Sequence, residues 1–408
     1  MQIPEEIKAA LARLKEKDAN LGQFPIGVLE AAWLAGVKVQ AEGATQEEAS
    51  LIFMTVLERK RPQIAASMPD SELAKMSAEE CCTWGQTLMN SGQWQEADRW
   101  FLVALEKGEN AGDLTAQCQA VGALGHLCRE RGDFPQAMVL LQKALQLGER
   151  LGDRRLQGVI HDQIGNTLAA QGQYPEAVQR YKKCIEIAQE NEDKEMQSAV
   201  YCNLGMAYGL QGDFNQAIEF YEMSLALHSM LGNDHGAAEV YGNLGIGYKD
   251  QGRYDCAEQM YLKSLEIAER LGDESTTASQ YSNLGNIHLI QGRLDEAIQM
   301  LEKALEIMQR IGDEPGVARQ YGNLANCYHQ KGDVRRALVF YFKAGNILER
   351  IADFHGAAKL YFNLGVLYRD EIGEQGEARK NFEKAKTLFE IVGDVRNAQR
   401  AAQTLRDL

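Results

Sequence analysis

The chain has 408 residues, 45% of them apolar and 25% charged, with only seven prolines. That composition excludes a disordered or collagen-like chain and favours long helices that proline does not interrupt. The net charge of −15 argues against nucleic acid and anionic membranes as partners, because an acidic surface repels phosphate groups. No apolar run approaches the ~18 residues that a membrane helix needs. The acidic opening, Met1 to Glu6, is unlike a secretory segment, and the eight cysteines show no CxxC spacing. These features lead us to expect a cytoplasmic chain with free thiols.

In chain order, residues 1–72 predict three helices, near 4–19, 26–41 and 45–66. A capping box from Thr45 to Glu48 opens the third, and Phe24, Leu29, Trp33, Phe53 and Leu57 are its candidate core. The segment is expected either to cover Trp84, Leu88 and Trp94 of the unit that follows or to stand as a separate helical module. Residues 73–394 predict eight helical hairpins. Residues 395–408 predict a polar helix that closes the stack, as solenoids require.

Three columns in a 40-residue register carry the hairpin prediction. The first is Gly85, Gly125, Gly165, Gly205, Gly245, Gly285, Ala325 and Gly365. The second starts seven residues later with Gly92 and Gly132 and runs to Gly332; the third, five further on, runs from Ala97 to Ala337. A glycine inside a helix costs ~1 kcal/mol against alanine, so the first column must gain something in packing, namely close approach of the second helix. The second column suits a left-handed residue ending that first helix. Phe101, Leu141, Tyr181, Tyr221, Tyr261, Leu301 and Tyr341 are expected to fill the gap beyond the small alanine. Pairs such as Gly152-Asp153 and Gly272-Asp273 end one hairpin and open the next. The eighth unit carries one extra residue within 371–377, which predicts a longer turn there.

The recurring Tyr-x-Asn-Leu-Gly segments (Tyr201–Gly205, Tyr241–Gly245, Tyr281–Gly285, Tyr361–Gly365) and the three columns resemble the tetratricopeptide repeat in its 40-residue form. The Pins/LGN type is the nearest match, and kinesin light chain is more distant. The resemblance implies an all-α superhelical solenoid whose first helices line a concave groove and hold a protein or peptide. In that groove the residue two before the first glycine gives Asn203, Asn243, Asn283, Asn323 and Asn363, preceded by Ala123 and Gln163. The residue just after it gives Asn166, Asn286 and Asn326, with His126. An offset of three puts both columns on one helix face, and an amide offers donors and an acceptor to a peptide backbone. The competing expectation is that these amides bridge neighbouring repeats.

Charge changes along the same face, from Glu239, Lys249 and Asp250 to Arg319, His329, Lys359 and Arg369. A basic C-terminal half predicts a partner with an acidic segment or a free carboxylate end. The expected function is a scaffold or adaptor, with a peptide-responsive regulator acting through residues 1–72 as the alternative. No helix-turn-helix is evident in that segment. Nothing pairs a nucleophile with a base, no HExxH-type spacing occurs among the seven histidines, and Gly242–Gly247 lacks the phosphate-loop lysine. We therefore expect neither an enzyme nor a bound metal or cofactor. His161, His288, Cys118 and Cys184 are expected to be packing residues.

Overall fold

The computed structural model describes Leu73 and residues 75–408. The three expected helices of residues 1–72, their core and their contact with the first hairpin lie outside the described residues. Among those described there are seventeen α-helices and no strand, as expected for an all-α hairpin array. The chain divides into two compact units, residues 1–187 and 188–408.

In the first unit, helices α1 (Ala78–Asn90) and α2 (Trp94–Ala111) form one hairpin and α3 (Leu114–Glu130) with α4 (Phe134–Leu151) the next. The third pairs α5 (Arg154–Ala170) with α6 (Tyr174–Glu190), inside which the unit boundary falls. The second unit continues with α7 (Lys194–Leu210) and α8 (Phe214–Leu231), α9 (Asp234–Asp250) and α10 (Tyr254–Leu271), then α11 (Glu274–Ile290) and α12 (Leu294–Ile311). It ends with α13 (Glu314–Gln330) and α14 (Val334–Arg350), α15 (Phe354–Leu367) and α16 (Gln375–Ile391), and the single helix α17 (Val395–Arg406).

The first helix of each hairpin is marked at its start by a capping side chain. Ser77 and Glu80 form a reciprocal capping box on α1, with Glu80 N–H donating to Ser77 Oγ at 3.1 Å and Ser77 N–H to Glu80 Oε2 at 2.7 Å. Asp113, Asp153, Asp193, Asn233, Asp273, Asp313 and Asp353 cap the later first helices through their side chains, each cap being worth ~1 kcal/mol. The residue just before most of these caps is a left-handed glycine. Glu192 (φ 53°) and Ala352 (φ 55°) take that conformation without being glycine, at a cost of ~1–2 kcal/mol each.

The first glycine column works by a contact more specific than close helix approach. A Cβ placed on Gly245 would lie 2.4 Å from Cε1 of Tyr261, and one on Gly205 would lie 2.7 Å from the Tyr221 ring. Phe101, Leu141, Tyr181, Leu301 and Phe382 sit in the same way on Gly85, Gly125, Gly165, Gly285 and Gly365. All seven are buried. Seven of the eight hairpins are therefore latched by one large side chain seated on the backbone of a glycine. Ala325, under Tyr341, is the one member of the column that keeps its methyl.

The tyrosine of Tyr-x-Asn-Leu-Gly joins one hairpin to the next in the second unit. The Tyr281 hydroxyl donates to Glu269 Oε1 at 2.7 Å, Gln309 Nε2 donates to the Tyr321 hydroxyl at 3.0 Å, and Tyr361 pairs with Glu349. Each partner stands twelve residues earlier, on the preceding second helix. Lys263, Lys303, Lys343 and Lys384 lie over the rings of Tyr241, Tyr281, Tyr321 and Tyr361 at 3.9–5.3 Å from the centroids. Burial and the Glu269 carboxylate push the Tyr281 hydroxyl up to about 12. Ion pairs such as Arg310–Glu274 at 2.9 Å and Arg350–Glu314 at 2.8 Å repeat on the exposed side, where they add little.

The extra residue of the eighth hairpin does not lengthen the connecting turn, as the sequence led us to expect. It is absorbed at the end of the first helix as a π turn, Tyr368–Ile372, and the Gly373 N–H returns to the Tyr368 carbonyl. The latch is kept, since a Cβ on Gly365 would meet Phe382 Cε1 at 2.7 Å. Helix α17, capped by Asp394, buries Ala398 and Ala401 against a cluster that contains Phe362, Phe382 and Phe389.

The latch makes opposite forecasts for two helical glycines. Gly245→Ala should force the Tyr261 ring out of place and destabilise the protein by ~1–3 kcal/mol. Gly322 has nothing within 4 Å of where its Cβ would stand, so Gly322→Ala should raise stability by up to ~1 kcal/mol. Thermal or urea denaturation of the two variants checks both signs.

Candidate binding site

In the second unit the first helices α7, α9, α11, α13 and α15 stand side by side. Asn243 Nδ2 donates to Cys202 Sγ at 3.5 Å, Gln320 Nε2 to Ser282 Oγ at 3.0 Å and Asn363 Nδ2 to Asn326 Oδ1 at 3.3 Å. These bonds join α9 to α7, α13 to α11 and α15 to α13. Asn203, Asn243, Asn283, Asn323 and Asn363 occupy equivalent half-buried positions along the row.

The amides are not equivalent in what they hold. Asn166, in the first unit, accepts from the Tyr181 hydroxyl at 2.7 Å and donates to Asp162 at 2.9 Å. Asn326 accepts from the Tyr341 hydroxyl at 2.6 Å as well as from Asn363. Asn283 donates to Gln280 Oε1 at 3.2 Å. Part of the ladder is thus occupied by the protein itself, within one hairpin at Asn166 and Asn283 and from one hairpin to the next at Asn243 and Asn363. Asn286 and Asn323 make no hydrogen bond to another described residue, so their amides are left for water or a ligand.

Most of the predicted cationic residues converge at the C-terminal end of the row. Arg319, Asn323, Asn326, Lys359 and Asn363 line one cavity of about 400 Å³ between α13 and α15, with Tyr341 and His355 in its wall. A second cavity, of about 260 Å³, is lined by Asn326, His329 and Asn363. Arg319 and Lys359 are both exposed, and neither forms an ion pair with another described residue. Asp353, the one carboxylate among the described residues of the wall, is engaged by the Gly356 N–H at 2.9 Å. His329 stands 3.8 Å from Glu371. Arg369 lies in the π turn, where Asp370 holds its guanidinium through two bonds of 2.6 and 2.9 Å and compensates its charge. His355 was not selected from the sequence, although it lies 120 residues beyond His235, three whole repeats on.

The first unit presents a different surface. A cavity of about 540 Å³ there is lined by Thr83, Gln119, Ala123, Val159 and Gln163 among others, and Glu79 is the only charged residue among the described ones that line it. Burial, helped by Arg180, Lys183 and Arg154, pulls His161 down to about 4, so its ring is neutral. Cys118 donates its thiol to the Ala144 carbonyl at 3.3 Å, and burial pushes it up to about 11. Among the described residues no three His, Cys, Asp or Glu side chains come together, and no helix is long and apolar enough to cross a membrane.

Residues 117–190, 155–230, 196–270 and 275–350 match a tetratricopeptide repeat family model, and residues 358–390 match a second. No curated protein matches the chain. Among solved structures, BtubC (BKLC) from P. vanneervenii is 24% identical with a TM-score of 0.50, over 54% of this chain and 92% of that one. A STAND protein with a tetratricopeptide repeat sensor from Pyrococcus horikoshii gives 18% and 0.63, over 86% of this chain and 54% of its own length. This chain thus corresponds to about half of that protein. The apo form of the quorum sensor NprR from B. thuringiensis gives 15% and 0.55, over 81% and 97%. At these identities the likeness is one of fold.

Two neighbouring amides should respond differently to truncation. Asn326→Ala removes the acceptor of the Tyr341 hydroxyl, which is 1% exposed as a residue, and should cost ~1–3 kcal/mol of stability. Asn323→Ala breaks no bond and should stay within ~0.5 kcal/mol of the parent. Paired thermal melts decide whether the ladder divides in this way.

Proposed function

The chain belongs to the tetratricopeptide repeat family, whose members typically mediate protein–protein interactions, and on that premise we propose that it is an adaptor holding an acidic segment of a partner protein. The register of 40 residues and the asparagine columns fit the Pins/LGN type of repeat. Asn203, Asn243, Asn283, Asn286 and Asn323 are the candidate contacts to the backbone of the segment. Arg319 and Lys359 take its carboxylates, with Asn363 and His329 at the edge of the same cleft. Asn326 and Arg369 act behind them through the bonds they already make.

The observation that carries this reading is the cavity between α13 and α15. It gathers three amides and two cations that pair with no carboxylate among the described residues, in a chain whose net charge is −15. An acidic segment entering it is attracted locally and kept off the rest of the surface by like charge. Nothing in the site calls for catalysis, and a helical repeat array is typically a non-enzymatic scaffold.

A second reading, a peptide-responsive regulator acting through residues 1–72, draws support only from the fold shared with a quorum sensor over 81% of this chain. Small-angle scattering with and without bound peptide separates the two. A regulator should compact on binding, whereas an adaptor should keep its dimensions.

Reversing the charges in Arg319→Glu/Lys359→Glu should weaken binding of an acidic peptide by roughly tenfold or more, at ~1–3 kcal/mol per charge-assisted bond. The difference from the parent should shrink as salt rises, because the effect is carried by exposed charge. Titration at two ionic strengths measures both, and a variant that binds as tightly as the parent would refute the acidic-segment reading.

A further inference from the structure

The column just after the latch glycine reads Asn166, Met206, Ile246, Asn286, Asn326 and Val366. Where that position is Asn and the latch is Tyr, the amide accepts from the buried hydroxyl, as in Tyr181–Asn166 and Tyr341–Asn326. In the hairpin of α9 and α10 the latch is again a tyrosine, Tyr261, and it is completely buried. Its counterpart is Ile246, and the Tyr261 hydroxyl finds no hydrogen-bond partner among the described residues. An unpaired buried hydroxyl is a standing loss of stability that an asparagine at 246 would remove.

The isoleucine is also exposed rather than serving the core. Ile246 is 41% accessible and Met206, at the same position one repeat earlier, is 43%. The two are neighbours: Asn243 on α9 touches Cys202 on α7, and Ile246 and Met206 stand about one helical turn beyond that contact. Leu210, a further turn along α7, is 61% accessible and widens the patch. A structure that gives up a hydrogen bond to present an aliphatic side chain to solvent, beside the amide column, is giving up stability for contact.

We infer that Met206, Leu210 and Ile246 form an apolar subsite, and that the partner segment is bipartite, with bulky aliphatic residues here and acidic residues at Arg319 and Lys359. This rests on the adaptor reading and adds a second specificity element to it. Charge fixes the order of the two parts. The exposed Glu239 lies two turns before Ile246 on α9 and repels carboxylates there, Asp250 being paired with Lys249 at 3.3 Å, while Arg319 and Lys359 attract them at the far end. Neighbouring helices are about 8–10 Å apart, so α7 to α15 spans roughly 40 Å, or about twelve extended residues.

Selection of a displayed random library of roughly sixteen-residue peptides, long enough for that span, on parent, Ile246→Asn and Arg319→Glu/Lys359→Glu proteins tests this. The parent should enrich sequences with an aliphatic cluster at one end and acidic residues at the other. The I246N protein should lose the aliphatic preference, keep the acidic one, and bind the parent's peptides roughly ten- to a hundredfold more weakly. Its thermal midpoint should rise, because Tyr261 regains an acceptor, so loss of binding cannot be loss of fold. The charge-reversed protein should lose the acidic preference alone.

Unchanged aliphatic enrichment on I246N overturns the subsite while the adaptor reading stands. Absence of acidic enrichment on the parent overturns the adaptor reading, and the bipartite segment with it. Sedimentation equilibrium without peptide adds one more outcome. If the parent self-associates and I246N does not, the patch is covered by a second copy of this chain and the proposal fails.

Discussion

The contact between a large side chain and the bare backbone of a mid-helix glycine sets the geometry of this molecule. It fixes how near the two helices of a hairpin lie and leaves no room even for a methyl group at Gly245 or Gly165. The helical glycine costs ~1 kcal/mol in propensity, whereas a buried aromatic ring contributes several times that. The latch therefore holds despite its local penalty. The tyrosine bonds between successive hairpins act on elements that the latch has already positioned.

The same contact reaches into the binding face. A tyrosine latch carries a hydroxyl to the base of the residue following the glycine, and that residue is either consumed by it or not. Asn166 and Asn326 are consumed. Asn286 is not, because its hairpin is latched by Leu301, which has no hydroxyl to offer. The choice of latch, made in the core, thus decides which amides at the surface remain available. Neighbouring hairpins with the same backbone come to present different chemistry.

This explains where reading the residues succeeded and where it fell short. The hairpins were legible because glycine and alanine columns repeat at a fixed spacing, and each column has a steric cause. The asparagine face was legible too, since an offset of three residues defines one side of a helix. The bonding state of Asn166 and Asn326 was not, because it depends on a residue fifteen places away on another helix. Nor was the fate of Arg369, which a neighbouring aspartate ties down once the backbone takes the π conformation. A uniform column concealed non-uniform members, such as Asn286, with no hydrogen-bond partner among the described residues, and Asn326, with two.

The π turn at Tyr368–Ile372 has a consequence for how such an array is assembled over generations. One additional residue entered the chain there, and the hairpin took it up within a single turn while Phe382 stayed seated on Gly365. What is held constant from unit to unit is a contact, not a number of residues. Gene segments of slightly unequal length can therefore be duplicated, lost or exchanged by unequal recombination and still yield units that dock on their neighbours. The regular spacing of 40 in the other units is therefore not something the contact itself demands.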